Sequence, residues 1–148
     1  NFASSGQSAI AKRGLAIITC IDSRIAPLAI VGMQPGDAKI MRNAGARVTE
    51  DVLRTLVLAT ALLGVDRILV MPHTDCRMAS GSEEEIHQAI LEKTGIDSRA
   101  IEIRTVKDQI SALKLDIQRI KSSPHLPDGI SVLGAIYDVN SGVLNKIE

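Results

Sequence analysis

Mainly apolar runs occur at three places in the chain, residues 15–21, 67–71 and 130–137, and each predicts a buried strand with many β-branched side chains. Residues 38–43, which mix apolar and charged side chains, predict a short further strand. Strands that are apolar on both faces are typical of a parallel sheet covered on both sides. A short final strand from Val143 to Ile147 follows the turn residues Asn140-Ser141-Gly142, so we predict that it runs antiparallel.

Between these runs, apolar residues recur at helical spacing. One predicted helix begins after the N-cap Thr49 and ends before Gly64, and a second opens with a capping box, Ser82 to Glu85, and runs to about Lys93. A third covers about Thr105 to Lys121. Its predicted apolar stripe consists of Val106, Ile110, Leu113, Ile117 and Ile120. Pro27 and the segment 32–37 are predicted to interrupt regular structure.

This alternation predicts an α/β fold. The central sheet would be mostly parallel, with about four strands plus a short antiparallel C-terminal edge strand, flanked by helices and joined by right-handed crossovers. A length of 148 residues suits one domain. We therefore predict an N-terminal arm over residues 1–14 and a single domain over residues 15–148.

Composition and charge remove several classes of function. Lysine and arginine balance aspartate and glutamate at 17 each, so no net charge favours nucleic acid or an anionic membrane. Phe2 and Tyr137 are the only aromatic residues, which leaves no platform for stacking bases and requires an aliphatic core. No apolar run approaches the roughly 20 residues of a membrane span. Residues 1–14 lack the apolar stretch of a secretory signal, so we expect a cytoplasmic protein.

Both cysteines lie where a predicted strand ends. Cys20 is the next-to-last residue of the first strand, and His73 and Cys76 lie in the loop after the strand at 67–71. The carboxyl ends of strands are where α/β sheets bind ligands, so these side chains meet if the two strands are neighbours. Two thiolates and an imidazole are three ligands for zinc, and they leave the fourth tetrahedral position open, as in catalytic zinc sites. The alternatives are inert buried thiols and a Cys20–Cys76 disulfide, the latter giving a thiol redox protein.

Short motifs run in order from the first strand to the C-terminus. The most specific are Cys20-Ile21-Asp22-Ser23-Arg24 and His73-Thr74-Asp75-Cys76. The others are Gly36-Asp37, Arg42-Asn43-Ala44-Gly45, Ser123-Pro124, Leu126-Pro127, Gly129-Ile130 and Tyr137-Asp138-Val139. Through these segments the chain resembles the β-class carbonic anhydrases.

The resemblance implies a zinc enzyme that reversibly hydrates CO2 to bicarbonate, using hydroxide on the metal. It implies Cys20, His73 and Cys76 as the Zn²⁺ ligands and Asp22 with Arg24 as a catalytic dyad, in which Arg24 keeps the carboxylate from binding the metal. It further implies a homodimer or a dimer of dimers. We expect Ala44 and Gly45 to contact the substrate. Two alternatives stay open: a non-catalytic zinc-binding homologue, and a related hydrolase acting on a small substrate such as carbon disulfide.

One residue departs from the family pattern. Arg77 follows Cys76 where the family usually has glycine, and we expect its side chain to project into solvent. Asp75 is expected to brace its loop as a hydrogen-bond acceptor. His87 and His125 are expected to be ordinary surface histidines rather than proton shuttles.

Overall fold

The structure, a computed structural model, describes residues 6–148, so part of the predicted N-terminal arm, residues 1–5, lies outside the described residues. The strands are β1 Leu15–Cys20, β2 Ala38–Asn43, β3 Arg67–Met71, β4 Ser131–Tyr137 and β5 Leu144–Ile147. The helices are α1 Pro27–Ile30, α2 Glu50–Leu62, α3 Glu83–Thr94 and α4 Gln109–Lys121. Two short 3₁₀ turns cover Ala44–Ala46 and Arg77–Ala79.

The five strands form one sheet in the order β2-β1-β3-β4-β5. The pairs among the first four strands are parallel, and β4 pairs with β5 antiparallel, with Tyr137 opposite Leu144. The predicted α/β class and the antiparallel C-terminal edge strand are therefore confirmed. Because β1 lies between β2 and β3, the ends of the strands that carry Cys20 and His73 are neighbours.

The core lies on both faces of this sheet and is aliphatic. Ile17 and Ile18, adjacent in the fully buried strand β1, point to opposite faces, as the period of a strand requires. Ile18 packs in the cluster that includes Leu56 of α2 and Ile120 of α4. Ile17 packs in a second cluster with Met71. The sheet is thus covered on both sides, which explains its continuous apolar runs.

Three details differ from the sequence prediction. Pro27 begins the one-turn helix α1 rather than interrupting regular structure, because proline fits the first turn of a helix. Helix α4 begins at Gln109, not near Thr105, and its N-cap is Asp108, whose side chain accepts a hydrogen bond from the backbone N–H of Ile110. Ile110, assigned to the apolar stripe, is 46% exposed.

The described end of the arm is attached to the sheet. Ala11 is buried, and its N–H donates to the carbonyl of Leu63. The N–H groups of Lys12 and Arg13 donate to the carbonyls of Gly36 and Asp37. Within residues 6–148, no helix combines the length and the apolar character needed to cross a bilayer.

Candidate metal centre

Cys20, His73 and Cys76 converge at the carboxyl end of the sheet. Cys20 is the last residue of β1, and His73 lies two residues beyond the end of β3. Their sulfur and nitrogen atoms lie within 4.8 Å of one another, and all three residues are buried. The cluster arises because β1 and β3 are adjacent parallel strands that end at the same edge of the sheet.

Each ligand candidate is held by its own backbone contacts. The 44–46 turn directs the N–H of Gly45 at Cys20 Sγ, over 3.4 Å, and the carbonyl of Cys76 accepts from the N–H of Ala79 at 2.9 Å. His73 Nδ1 contacts the carbonyl oxygen of Thr74 at 2.7 Å. A carbonyl can only accept, so this contact makes Nδ1 the protonated nitrogen and leaves the lone pair on Nε2.

These residues fit a zinc ion. His73 Nε2 is the one buried side-chain nitrogen or oxygen in residues 6–148 that lacks a hydrogen-bond partner. The two sulfur atoms are 4.0 Å apart, and both cysteines are free. Two sulfurs bound tetrahedrally to one zinc would lie about 3.8 Å apart. The disulfide alternative does not apply to this arrangement, because the two sulfurs are about twice as far apart as the roughly 2.05 Å of an S–S bond. Burial raises the pKa of the Cys76 thiol, and a cation would favour its thiolate form.

An ionised carboxylate borders the cluster. Asp22 Oδ2 is 3.7 Å from His73 Nε2. Arg24 binds the same carboxylate through two side-chain bonds, Nε to Oδ1 at 3.0 Å and Nη2 to Oδ2 at 2.7 Å, and through its backbone N–H. Hydrogen bonds from the Arg24 side chain and backbone hold the pKa of the Asp22 carboxyl far below its usual range. The acid is therefore charged throughout the neutral range.

Several contacts that support the site carried no clear signal in the sequence. Arg42 donates from Nε to the carbonyl of Cys20 and from Nη2 to that of Asp22, which fixes the backbone between them. Gln109 Nε2 donates to the carbonyl of His73 at 2.6 Å. Arg42 belongs to a recognised motif, but nothing in the sequence indicates what it binds. Gln109 lies 36 residues from its partner, so only the fold brings the two together.

The predicted substrate residues lie beside the cluster. Gly45 is buried with φ 83°, and an added Cβ would lie 3.2 Å from Met78. Ala44 is exposed and lines a cavity of about 410 Å³ that is also bordered by Ile103. Met78 and Ile103 pack against the two cysteines, so the surroundings of the sulfurs are aliphatic.

The other predicted residues have mixed outcomes. Arg77 is exposed and donates to the hydroxyl of Ser80, and Asp75 accepts a bond from Arg24. His125 is exposed, as expected. The prediction for His87 was wrong, because this histidine is 4% exposed. Its Nδ1 contacts Ser98 Oγ at 2.7 Å, and its Nε2 contacts Glu83 Oε2 at 3.1 Å.

Comparisons with known proteins agree with this geometry. A sequence profile of the carbonic anhydrase family matches residues 15–97. β-Carbonic anhydrase 1 of Mycobacterium tuberculosis is 32% identical over 133 residues, covering 90% of this chain and 81% of its own length. The crystal structure of a carbonic anhydrase from Streptococcus mutans superposes with a TM-score of 0.89 and 36% identity, covering 95% of this chain and 84% of that one.

A second group of relatives has a different name. A carbon disulfide hydrolase of an Acidianus species is 29% identical over 158 residues, covering 90% of this chain and 77% of its own length. This identity is lower than that to the two carbonic anhydrases, so it does not change the family to which the chain is assigned. With the matching profile, the sequence identity and the superposed fold in agreement, the chain belongs to the β-carbonic anhydrase family of enzymes.

Proposed function

We propose that this protein is a zinc-dependent carbonic anhydrase that interconverts CO2 and water with bicarbonate and a proton. Cys20, His73 and Cys76 would hold the zinc. The observation that carries this proposal is the buried, unpartnered Nε2 of His73 within 4.8 Å of two reduced sulfurs. Bound there, zinc supplies a Lewis acid that lowers the pKa of a coordinated water to about 7, providing hydroxide at neutral pH.

Asp22 and Arg24 would orient the nucleophile. An ionised carboxylate accepts hydrogen bonds and cannot donate them, and the depressed pKa of Asp22 keeps this side chain ionised. Asp22 Oδ2, 3.7 Å from His73 Nε2, would accept a hydrogen bond from the attacking oxygen and so orient the lone pair of that oxygen towards CO2. Arg24 holds both carboxylate oxygens through its planar fork and keeps Asp22 out of the ligand position.

Ala44 and Gly45 would contact the substrate together with their aliphatic neighbours. CO2 is small and apolar, and Met78 and Ile103, which pack with the two cysteines, would offer it an aliphatic surface. Ala44 lies with Ile103 on the adjoining cavity, whose other walls are largely polar or charged. The N–H of Gly45 is committed to Cys20 Sγ, so its contribution would be close approach of the backbone.

The test combines metal analysis with kinetics. We expect about one zinc per chain and rapid CO2 hydration in a stopped-flow assay, reduced about 10- to 100-fold or more by Asp22→Ala. Asp128→Ala, which removes an exposed loop carboxylate, is the matched control and should retain the wild-type rate. A zinc-loaded wild type no faster than Asp22→Ala would refute the proposal and favour the non-catalytic homologue.

Carbon disulfide hydrolysis is the second candidate function, supported by the 29% identity to the Acidianus enzyme. In this reaction one molecule of carbon disulfide and two of water give one molecule of CO2 and two of hydrogen sulfide. Sulfide release from carbon disulfide without CO2 hydration would assign this function, whereas CO2 hydration without sulfide release would exclude it.

We also propose a cytoplasmic homodimer or dimer of dimers. Leu58 and Leu62 of α2 are 47% and 67% exposed in the single chain, which supports burial against another copy. Two neighbouring cysteines that do not form a disulfide would suit a reducing compartment. Light scattering on the purified protein would test the assembly, since a monomer at micromolar concentration would contradict it, and fractionation of cells would test the location.

A further inference from the structure

The guanidinium of Arg24 lies between two carboxylates that come from different loops. Its Nε and Nη2 bind Asp22, in the loop after β1. Its Nη1 donates to Asp75 Oδ2 at 2.8 Å, and Nη2 also donates to the Asp75 carbonyl at 3.0 Å, in the loop after β3. Four side-chain bonds from one planar group therefore join the two loops that carry the candidate ligands.

The backbone conformation of Asp75 favours this contact with Arg24. Its φ is 53°, in the left-handed region that aspartate tolerates better than most residues, and this conformation turns both its carbonyl and its carboxylate towards Arg24. The side chains of Asp75 and Arg24 are 74% and 46% exposed. Because an ion pair this exposed contributes only about 0–1 kcal/mol to stability, folding alone gives little reason for it.

The geometry that Arg24 imposes matters at the cluster. Asp22 Oδ2, held by Arg24 Nη2, is already 3.7 Å from His73 Nε2. A small rotation of Asp22 would bring its oxygen to the cation itself. The orientation of the guanidinium therefore decides whether the carboxylate serves as an acceptor or as a fourth ligand, and Asp75 is the only side chain besides Asp22 that Arg24 bonds within residues 6–148.

We propose that Asp75 is a positioning residue, which fixes the plane of the Arg24 guanidinium and thereby keeps Asp22 out of the fourth ligand position. The inference rests on the proposed zinc site and dyad. Asp75 touches neither the cation nor CO2. It acts through Arg24 alone.

The test is Asp75→Asn, which preserves size and tolerates the same backbone angle while removing the charge. We expect kcat for CO2 hydration to fall about 10- to 100-fold. With Co²⁺ in place of zinc, the visible absorption at neutral pH should shift from the wild-type spectrum, because Asp22 enters the coordination sphere. The melting temperature should change by at most about 4 °C.

Asp51→Asn is the matched control. Asp51 is 76% exposed and pairs with Arg54 at 2.7 Å, so it resembles Asp75 in exposure and partner but lies on α2. It should leave the rate and the Co²⁺ spectrum unchanged. If Asp51→Asn alters both as much as Asp75→Asn does, the effect is general charge removal and the inference is overturned.

A double-mutant cycle with Arg24→Lys tests whether Asp75 acts through Arg24. Lysine lacks the planar fork, so Asp75→Asn should change kcat less than about twofold in that background. Additive effects would overturn the inference. The inference would also be overturned if the Asp75→Asn variant kept the wild-type Co²⁺ spectrum. The proposed function would still stand in that case, provided that the wild type hydrates CO2. A zinc-loaded wild type without hydration activity would instead refute the proposed function.

Discussion

His73 illustrates how one backbone contact selects the chemistry of a side chain. Its Nδ1 is committed to the carbonyl of Thr74, so its Nε2 keeps a lone pair, and burial denies that lone pair a water partner. A buried acceptor without a partner costs about 1–3 kcal/mol, which a bound cation would offset. The choice of tautomer thus comes from the fold of the loop and not from the histidine itself.

Gly45→Ala should weaken both stability and metal binding. A Cβ at φ 83° is strained, and it would also lie 3.2 Å from Met78, beside the N–H that donates to Cys20 Sγ. We expect the free energy of unfolding, measured with urea, to fall by about 1–3 kcal/mol. Gly95→Ala is the matched control, because Gly95 has φ 73° but no atom within 4 Å of the added Cβ. Equal zinc affinity in the two variants would contradict the role given to Gly45.

Arg77→Gly should leave the hydration rate unchanged. The Arg77 side chain is exposed and bonds only Ser80 among the described residues. The side chain that replaces the family's usual glycine therefore does not contact the Cys20, His73 and Cys76 cluster. Added backbone freedom in the 77–79 turn should lower the free energy of unfolding by about 0.5–1 kcal/mol. Stopped-flow kinetics beside urea denaturation would check this, and a large rise in rate would mean that Arg77 impairs the site.

At the scale of elements, one glutamate of α3 anchors part of the segment between α3 and α4. Glu83 accepts from the N–H groups of Ile103 and Thr105, and it also contacts His87. Ile103 in turn packs against the two cysteines. The run of glutamates at 83–85 looks like an ordinary solvated first turn, yet its first member holds the segment that carries Ile103 beside the candidate metal centre.

Glu83→Gln should therefore destabilise the protein at neutral pH, by about 1–2 kcal/mol in urea denaturation. Hydrogen bonds from the backbone N–H of Thr105 and Ile103 hold the pKa of Glu83 below its ordinary value. A depressed pKa contributes stability that is present above the unfolded-state pKa of about 4.3 and is lost as the pH falls through the folded-state value. The difference between wild type and variant should thus be constant from about pH 5 to 8 and shrink below about pH 4.

Glu85→Gln is the control for the helix dipole. Glu85 lies in the same first turn of α3, is exposed, and makes no side-chain ion pair within the described residues. It should reproduce only the small loss from removing a charge near a helix N-terminus. If Glu85→Gln shows the same loss and pH dependence as Glu83→Gln, the dipole rather than the bonds to the segment explains the effect.

The same segment shows why parts of the fold escaped prediction. The strands were predictable because consecutive apolar residues leave few alternatives. The predicted start of helix α4 was too early, because the apolar spacing around Val106 is helical. In the structure the Val106 N–H instead donates to the carbonyl of Met78, and the Thr105 N–H donates to the Glu83 carboxylate. His87 lies on a polar helix and is nevertheless buried, since Ser98 folds back onto it. Both errors come from contacts between distant residues.

For the whole molecule, the convergence of the three candidate ligands was predictable and the contacts around them were not. Sequence order identifies Cys20, His73 and Cys76 as residues that follow strands, and the carboxyl ends of neighbouring parallel strands must meet. The sequence does not fix that β1 lies between β2 and β3, which brings Arg42 and the 44–46 turn to the same edge. The sequence also does not predict the ion pair between Arg24 and Asp75.

Removing the metal should loosen the centre of the sheet. The candidate ligands follow β1 and β3, the two adjacent central strands, so a shared cation would link their ends. Zinc at 100 times its dissociation constant would stabilise the folded state by about 2.7 kcal/mol, provided that it does not bind the unfolded chain. Differential scanning calorimetry before and after chelation should show a lower melting temperature, restored by zinc but not by Mg²⁺. An unchanged melting temperature would contradict a cation in this position.

The scarcity of aromatic side chains has a practical consequence for spectroscopy. The chain has no tryptophan and one tyrosine, Tyr137, which bridges to His73 across the sheet and accepts the Thr74 N–H with its carbonyl. Near-ultraviolet absorption from the protein is therefore weak, so sulfur-to-metal bands should stand out against it. Because this single phenol lies beside the histidine loop, its fluorescence should report the binding of a metal there without any added label.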